Sequence, residues 1–202
     1  MRLYFARHGE SEANVLRVVS NRPGVHGLTA KGREQAAGLA EALRGRVSAV
    51  YSSPLLRAVE TAVVVCGSLG LPLELTDALR EYDCGELEGR SDAEAWAIHA
   101  PWSGDWLEGR NRDRGPEGGE SFEQIRARFL PFARKLMEAP AGADAAPLLI
   151  GHGGIYRLML PLVLDNIDHA FVREHKFPNC SSVVAESGNG RLRCVEWCGV
   201  EL

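Results

Sequence analysis

Short apolar runs alternate with segments of helical period along this 202-residue chain, and that alternation constrains the fold more than any other feature. Leu3-Tyr4-Phe5-Ala6 predicts a buried strand that ends on Arg7-His8-Gly9. Thr29 can N-cap a helix whose apolar face is Ala36, Leu39, Ala40 and Leu43, with Gly45 near its stop. Ala49-Val50-Tyr51-Ser52 predicts the second strand. Ser53, with Pro54 at the first helical position, then predicts a helix with Ala58, Ala62, Val65 and Cys66 on one face and Gly70 after its end. Leu73-Glu74-Leu75 is a short strand, and Pro147-Leu148-Leu149-Ile150 is a buried one running into Gly151-His152-Gly153-Gly154. Ile155, Leu158, Met159 and Leu162 then suggest a helix, and strands near Ser182–Ala185 and Leu192–Val195 finish the pattern.

Strands alternating with helices imply βαβ units, hence an α/β three-layer sandwich with a mostly parallel central sheet and helices on both faces. The length fits one domain over residues 1–202. Between Asp77 and Gly119 the periodicity loosens. A short helix over Asp92–His99 precedes a stretch rich in Trp, Gly, Arg and Pro, which predicts an irregular lid insert over about residues 92–120. Ser121 with Gln124 forms a capping box for a helix whose face is Ile125, Phe129, Phe132, Ala133 and Leu136, ended by Ala139-Pro140-Ala141-Gly142.

The balance of 23 basic and 27 acidic residues gives a net charge of −4, so no broad electrostatic force draws this chain to nucleic acid or to an anionic membrane. Any anion binding must be local. No run approaches the ~18 apolar residues of a membrane span, and Met1–Phe5 lacks the apolar core of a signal peptide, so the expected location is the cytoplasm. The five cysteines form no C-x-x-C pair and read as reduced thiols. His26, His99, His169 and His175 make no H-E-x-x-H or H-x-H arrangement, so neither a metal nor another cofactor is expected.

Ligands of open parallel sheets bind at the C-terminal ends of the strands. Arg7-His8, Ser52-Ser53 and Gly151-His152 all fall at such ends, which gathers His8, His152 and Arg57 from three distant segments. A neutral imidazole can attack phosphorus, and flanking arginines offer forked donors to phosphoryl oxygens. Glycines 151, 153 and 154 let backbone approach an anion at the start of a helix.

With these elements assembled, the sequence resembles the histidine phosphatase superfamily, also called the phosphoglycerate mutase-like family. The matching elements are Arg7-His8-Gly9-Glu10-Ser11 with Asn14, Ser52-Ser53-Pro54-Leu55-Leu56-Arg57-Ala58 with Glu60-Thr61, Leu79-Arg80-Glu81 with Gly85 and Glu88-Gly89, and Gly151-His152-Gly153-Gly154. The resemblance implies that His8 is the nucleophile of a phosphomonoesterase and forms a phosphohistidine. It implies that Arg7, Arg57 and His152 hold the phosphoryl oxygens, with Asn14, Ser11 and Gly153 as further substrate-binding positions. Glu81 becomes the general acid and then the base, in preference to Asp83, Glu86 and Glu88. Leu87 departs from the tryptophan that small-molecule phosphatases of this kind often carry before Glu-Gly.

The implied substrate is a small phosphorylated metabolite, and the terminal strands leave a sheet edge through which a homodimer can form. In the lid, Arg110, Arg112 and Arg114 are candidates for binding a carboxylate or a second phosphate, while Trp96, Trp102 and Trp106 either line the pocket or pack the lid. Phosphoglycerate mutase-type transfer is an alternative, although the chain lacks the adjacent arginine pair of the cofactor-dependent mutases. A non-catalytic phosphate-binding module is another, against which every expected chemical position is filled.

Overall fold

A computed structural model describes residues 1–138, 146–188 and 191–202. Strand β1 (Arg2–Arg7) carries four consecutive buried residues, and such a strand must be covered on both faces. It lies inside a sheet of seven strands among the described residues, in the order β3-β2-β4-β1-β5-β6-β7. Strands β2 (Ala49–Ser52), β3 (Leu73–Leu75) and β4 (Pro147–Gly151) join β1 in parallel register. Strands β5 (Ser182–Gly188), β6 (Arg191–Trp197) and β7 (Val200–Glu201) add antiparallel pairs at the other side.

The side-chain alternation of β1 sorts the core into two layers. Tyr4 and Ala6 face helices α2 (Ala30–Leu43) and α3 (Leu56–Leu69), meeting Leu39, Ala40, Ala58, Ala62 and Val65. Leu3 and Phe5 face the opposite layer, where α4 (Ala93–Leu107), α5 (Phe122–Glu138) and α6 (Gly153–Met159) contribute Trp106, Ile125, Phe129 and Ile155. The expected three-layer α/β arrangement is therefore present. No helix among the described residues is long and apolar enough to cross a membrane.

Local differences have physical reasons. Helix α3 starts at Leu56 rather than Pro54, because the Ser53 hydroxyl accepts the Leu55 N–H in a turn before the helix. Two short helices lacked a periodic signature, α1 (Glu12–Leu16) and α7 (His169–Glu174). The expected irregular lid over 92–120 is corrected in one respect: its helix runs on from His99 to Leu107, through Pro101. Proline inside a helix costs about 3 kcal/mol. Burying Trp106 completely, with its indole N–H donating to the carbonyls of Arg114 (3.0 Å) and Asn111 (3.3 Å), offsets a cost of that size. Helix α5 begins at its capping box, Ser121 N–H donating to Gln124 Oε1 and Gln124 N–H to Ser121 Oγ. Its predicted stop at Ala139-Pro140-Ala141-Gly142 lies outside the described residues.

Candidate active site

The strand register sets the geometry of the site. Arg7 pairs with Gly151 and Ser52 with Ile150, so the C-terminal ends of β1, β2 and β4 finish at one level of the sheet. The next residues leave that edge together: His8 N–H donates to the Gly151 carbonyl (3.0 Å) and Ser53 N–H to that of Ile150 (2.9 Å). Gly9 must be glycine here, because a Cβ would lie 2.4 Å from the Gly32 carbonyl oxygen. Its N–H donates to Thr61 Oγ1 (3.1 Å), tying the loop after β1 to α3.

His8 and His152 stack obliquely, ring centroids 5.0 Å apart, and both are almost fully buried. The hydrogen bonds of His8 fix its tautomer. The Gly9 carbonyl can only accept, so His8 Nδ1 carries the hydrogen that it donates across 2.7 Å. Arg57 Nε–H can only donate, so His8 Nε2, at 3.1 Å, presents a lone pair. Ser53 Oγ accepts from Leu55 N–H and lies 2.8 Å from His152 Nε2, a hydrogen bond that its hydroxyl can make as donor or as acceptor. Burial, and the arginines beside them, hold both imidazoles well below the usual histidine range, so both are neutral at pH 7.

Arg57, at the start of α3, donates from Nη1 to the Ser20 carbonyl (2.5 Å) and from Nη2 to Asn21 Oδ1 (3.2 Å). Burial pulls its pKa down to about 10, which still leaves it charged at pH 7. Arg7 donates from Nη1 to the Phe177 carbonyl at 2.8 Å. Arg7 Nε and His152 Nδ1 are buried nitrogens with no partner among the described residues. Such orphans cost roughly 1–3 kcal/mol each and mark places where a ligand oxygen fits.

Glu81 approaches from the loop after β3. Its Oε2 accepts the Gly154 N–H (2.8 Å) and its Oε1 accepts those of Ile155 (2.8 Å) and Tyr82 (3.2 Å). The carboxyl thus caps α6 from outside the helix, at a terminus where His152 supplies no side-chain cap. Burial raises its pKa above the usual carboxyl value, opposed by those amides and by Arg57. Among the nearby acids, Glu88 is bound to Asn21 and Cys84 amides, Asp83 to Arg22 and Gly85, and Glu86 is exposed.

A cavity of about 620 Å³ opens over these groups, lined by Arg7, His8, Asn14, Arg57, Glu81 and Gly153 among others. His152, packed against the His8 ring, is not among the lining residues. Asn14 Oδ1 accepts from Ser11 N–H and from Asn179 Nδ2. Four expected substrate-binding residues are placed elsewhere. Ser11 is fully buried and its hydroxyl caps α1. Arg110 is held by Asp105 and Glu108, Arg112 lies over the Phe122 ring with 4.4 Å to its centroid, and Arg114 is exposed; none of the three lines the cavity. Trp96 and His99 do line it, whereas Trp106 packs beneath.

Sequence reasoning gave no positioning role to Ser53, Asn21 and Thr61, which contact His152, Arg57 and Gly9. It also passed over Arg157, Arg173 and Lys176 on the cavity wall. For Arg157 a signal existed, since it stands four residues, about one helical turn, after Gly153. Among the described residues no group of three or more His, Cys, Asp or Glu is arranged to hold a metal ion.

Comparison with known proteins gives a consistent picture. The chain is 34% identical over 176 residues to the bifunctional protein Rv2228c of Mycobacterium tuberculosis, a match that spans 86% of this chain and 47% of that protein. It is 30% identical over 182 residues to the probable phosphoglycerate mutase GpmB of Yersinia enterocolitica, covering 90% of this chain and 82% of that one. The solved structure of mycobacterial glucosyl-3-phosphoglycerate phosphatase Rv2419c with VO3 superposes with a TM-score of 0.82 at 28% identity, covering 98% of each chain. The family model of the histidine phosphatase superfamily, branch 1, matches residues 3–199, and the chain belongs to that superfamily.

Proposed function

We propose that this chain is a metal-independent phosphomonoesterase that hydrolyses a small organic phosphate through a phosphohistidine on His8. The observation that carries this reading is the lone pair of His8 Nε2, presented by two hydrogen bonds that fix the tautomer, with Arg7 and Arg57 on the same cavity wall and His152 packed against the ring. In the first step Nε2 attacks phosphorus and the bond to the ester oxygen breaks. The departing oxygen takes the proton of the Glu81 carboxyl. Arg57 exchanges its contact with Nε2 for a phosphoryl oxygen, and the unpartnered Arg7 Nε–H and, in its Nδ1–H tautomer, His152 receive others. In the second step a water gives a proton to Glu81 and attacks phosphorus, the N–P bond breaks, and orthophosphate leaves with His8 neutral again.

Likeness over nearly the full length of a solved glucosyl-3-phosphoglycerate phosphatase supports hydrolysis. Likeness to a protein named as a phosphoglycerate mutase makes isomerisation the second reading. The two separate in one experiment: p-nitrophenyl phosphate and a panel of alkyl phosphomonoesters assayed in EDTA, beside 3-phosphoglycerate isomerisation with and without 2,3-bisphosphoglycerate. The expected result is metal-free phosphate release that disappears in His8→Ala. Isomerisation without net release, or no turnover of any ester, contradicts the reading.

A further inference from the structure

The chain as a whole is acidic, yet its cavity is lined by five permanent cations, Arg7, Arg57, Arg157, Arg173 and Lys176, against one acid, Glu81. Two of the five flank His8 and suffice for a single phosphoryl group. The other three come from one stretch of chain: the last turn of α6, the last turn of α7 and the segment just beyond it.

Their surroundings leave their charge available. Among the described residues no carboxylate lies within 4.0 Å of Arg157 or Lys176. Arg173 meets Glu108 at 3.8 Å, but Glu108 is also bound by Arg110. Arg157 is anchored, its Nε–H donating to the Val172 carbonyl at 3.2 Å, so the guanidinium is held between α6 and α7. A cation in a helix's last turn complements the helix dipole, which accounts for Arg157 and Arg173 singly. It does not account for Lys176, beyond α7, or for all three facing one cavity. Like charges gathered on a concave wall repel one another and attract an anion from solution. At about 620 Å³ the cavity is also larger than a phosphoryl group needs and falls in the range of small-molecule sites, roughly 300–1,000 Å³.

We propose that Arg157, Arg173 and Lys176 form a subsite for a second anionic group, a carboxylate or a second phosphate, on a phosphomonoester whose phosphoryl group sits at His8. This inference rests on the proposed phosphatase reading and deepens it by naming a substrate class. Trp96, His99 and Phe177, which also line the cavity, would cover the body of the substrate between its two charged ends.

The test uses two matched pairs of esters. Glycerol 3-phosphate and 3-phosphoglycerate differ by a carboxylate, while fructose 6-phosphate and fructose 1,6-bisphosphate differ by a phosphate. The native protein is expected to favour the second member of at least one pair in kcat/KM by about tenfold or more, the scale of one charged hydrogen-bonded contact. The pair that responds identifies the anion. Arg157→Gln and Lys176→Gln should each lower that ratio several-fold, through KM rather than kcat; Lys176 is exposed and lacks an ionic partner, so that variant avoids the folding risk at Arg157. No preference in either pair, or variants that slow both members equally, overturns the subsite while leaving the phosphatase reading intact. Absence of turnover on every ester overturns the phosphatase reading instead. Calorimetric binding of the same esters then decides the subsite, with equal Kd within both pairs counting against it.

Discussion

Gly154→Ala separates the positioning of Glu81 from the integrity of the fold. A Cβ on residue 154 would lie 2.7 Å from each Glu81 carboxylate oxygen and from Tyr82 Cε1. Both neighbours must shift: moving the Tyr82 ring, buried beside Trp106, adds an overpacking cost of about 1–3 kcal/mol to that of displacing the carboxylate. To reach an ordinary contact of 3.4 Å the carboxylate must retreat by about 0.7 Å, which stretches its bonds to the Gly154 and Ile155 amides from 2.8 Å towards the limit of hydrogen bonding. Two weakened charge-assisted bonds cost about 2–4 kcal/mol together, against which alanine in place of helical glycine returns ~0.5–1 kcal/mol. With the Tyr82 shift included, the net loss of about 2–6 kcal/mol should lower Tm by roughly 4–24 °C in a chain of this size. Activity should suffer more selectively. An alkyl phosphate needs a proton on its leaving oxygen, so its kcat/KM should fall ~10²–10⁴-fold, whereas p-nitrophenyl phosphate, whose leaving group needs none, should lose less than about tenfold. A leaving-group series on purified native and variant protein reads both numbers. Equal losses on good and poor leaving groups, or no loss on either, would refute the reasoning.

Glu81→Gln removes the proton without adding volume, so its leaving-group dependence should match that of Gly154→Ala; a uniform loss across the series would transfer the acid role to another group. Burial keeps His8 and His152 neutral in the folded state to well below the ordinary value of about 6.5, while the unfolded chain takes up protons there. The unfolded state therefore binds more protons as pH falls through about 6.5, and stability should decline on the acid side. Urea denaturation between about pH 7 and 5 should show that decline flattened in His152→Gln, and an unchanged slope would contradict the buried neutral pair. Trp106→Ala should cost roughly 3–5 kcal/mol, because it empties a fully buried site and removes the indole N–H from the Arg114 and Asn111 carbonyls, of which that of Asn111 keeps the Arg114 N–H. A loss under about 1 kcal/mol would mean that α4 is not an integral part of the core.

Much of this site was legible because a short apolar run and a strand end are local signals. The apolar run Leu3–Ala6 followed by Arg7-His8 places the imidazole at the sheet edge, and the parallel rule brings Gly151-His152 beside it. The capping box at Ser121-Gln124 appears as expected for the same reason. What was hidden depends on tertiary packing. Pro101 looked like a helix end, and only the burial of Trp106 carries α4 past it. Arg110, Arg112 and Arg114 were conspicuous as a cluster, yet Asp105, Glu108 and the Phe122 ring hold the first two away from the cavity. The cations that do face it, Arg157, Arg173 and Lys176, are spread over 20 positions and are joined only by how α6 and α7 pack. Ser11 sits within the Arg-His-Gly-Glu-Ser element, but its hydroxyl is occupied by the first turn of α1. Glu81's role as an external cap of α6 likewise requires two segments more than 70 residues apart to meet.

The central claim is a covalent phosphoryl group on His8, and rapid mixing with a slowly hydrolysed phosphomonoester, followed by a denaturing alkaline quench and peptide mass spectrometry, tests it most directly. The account predicts phosphorylation on the peptide carrying His8 that survives base, is lost in acid and is missing in His8→Ala. Phosphate release by the native protein with no such adduct, or an adduct on another residue, would contradict it.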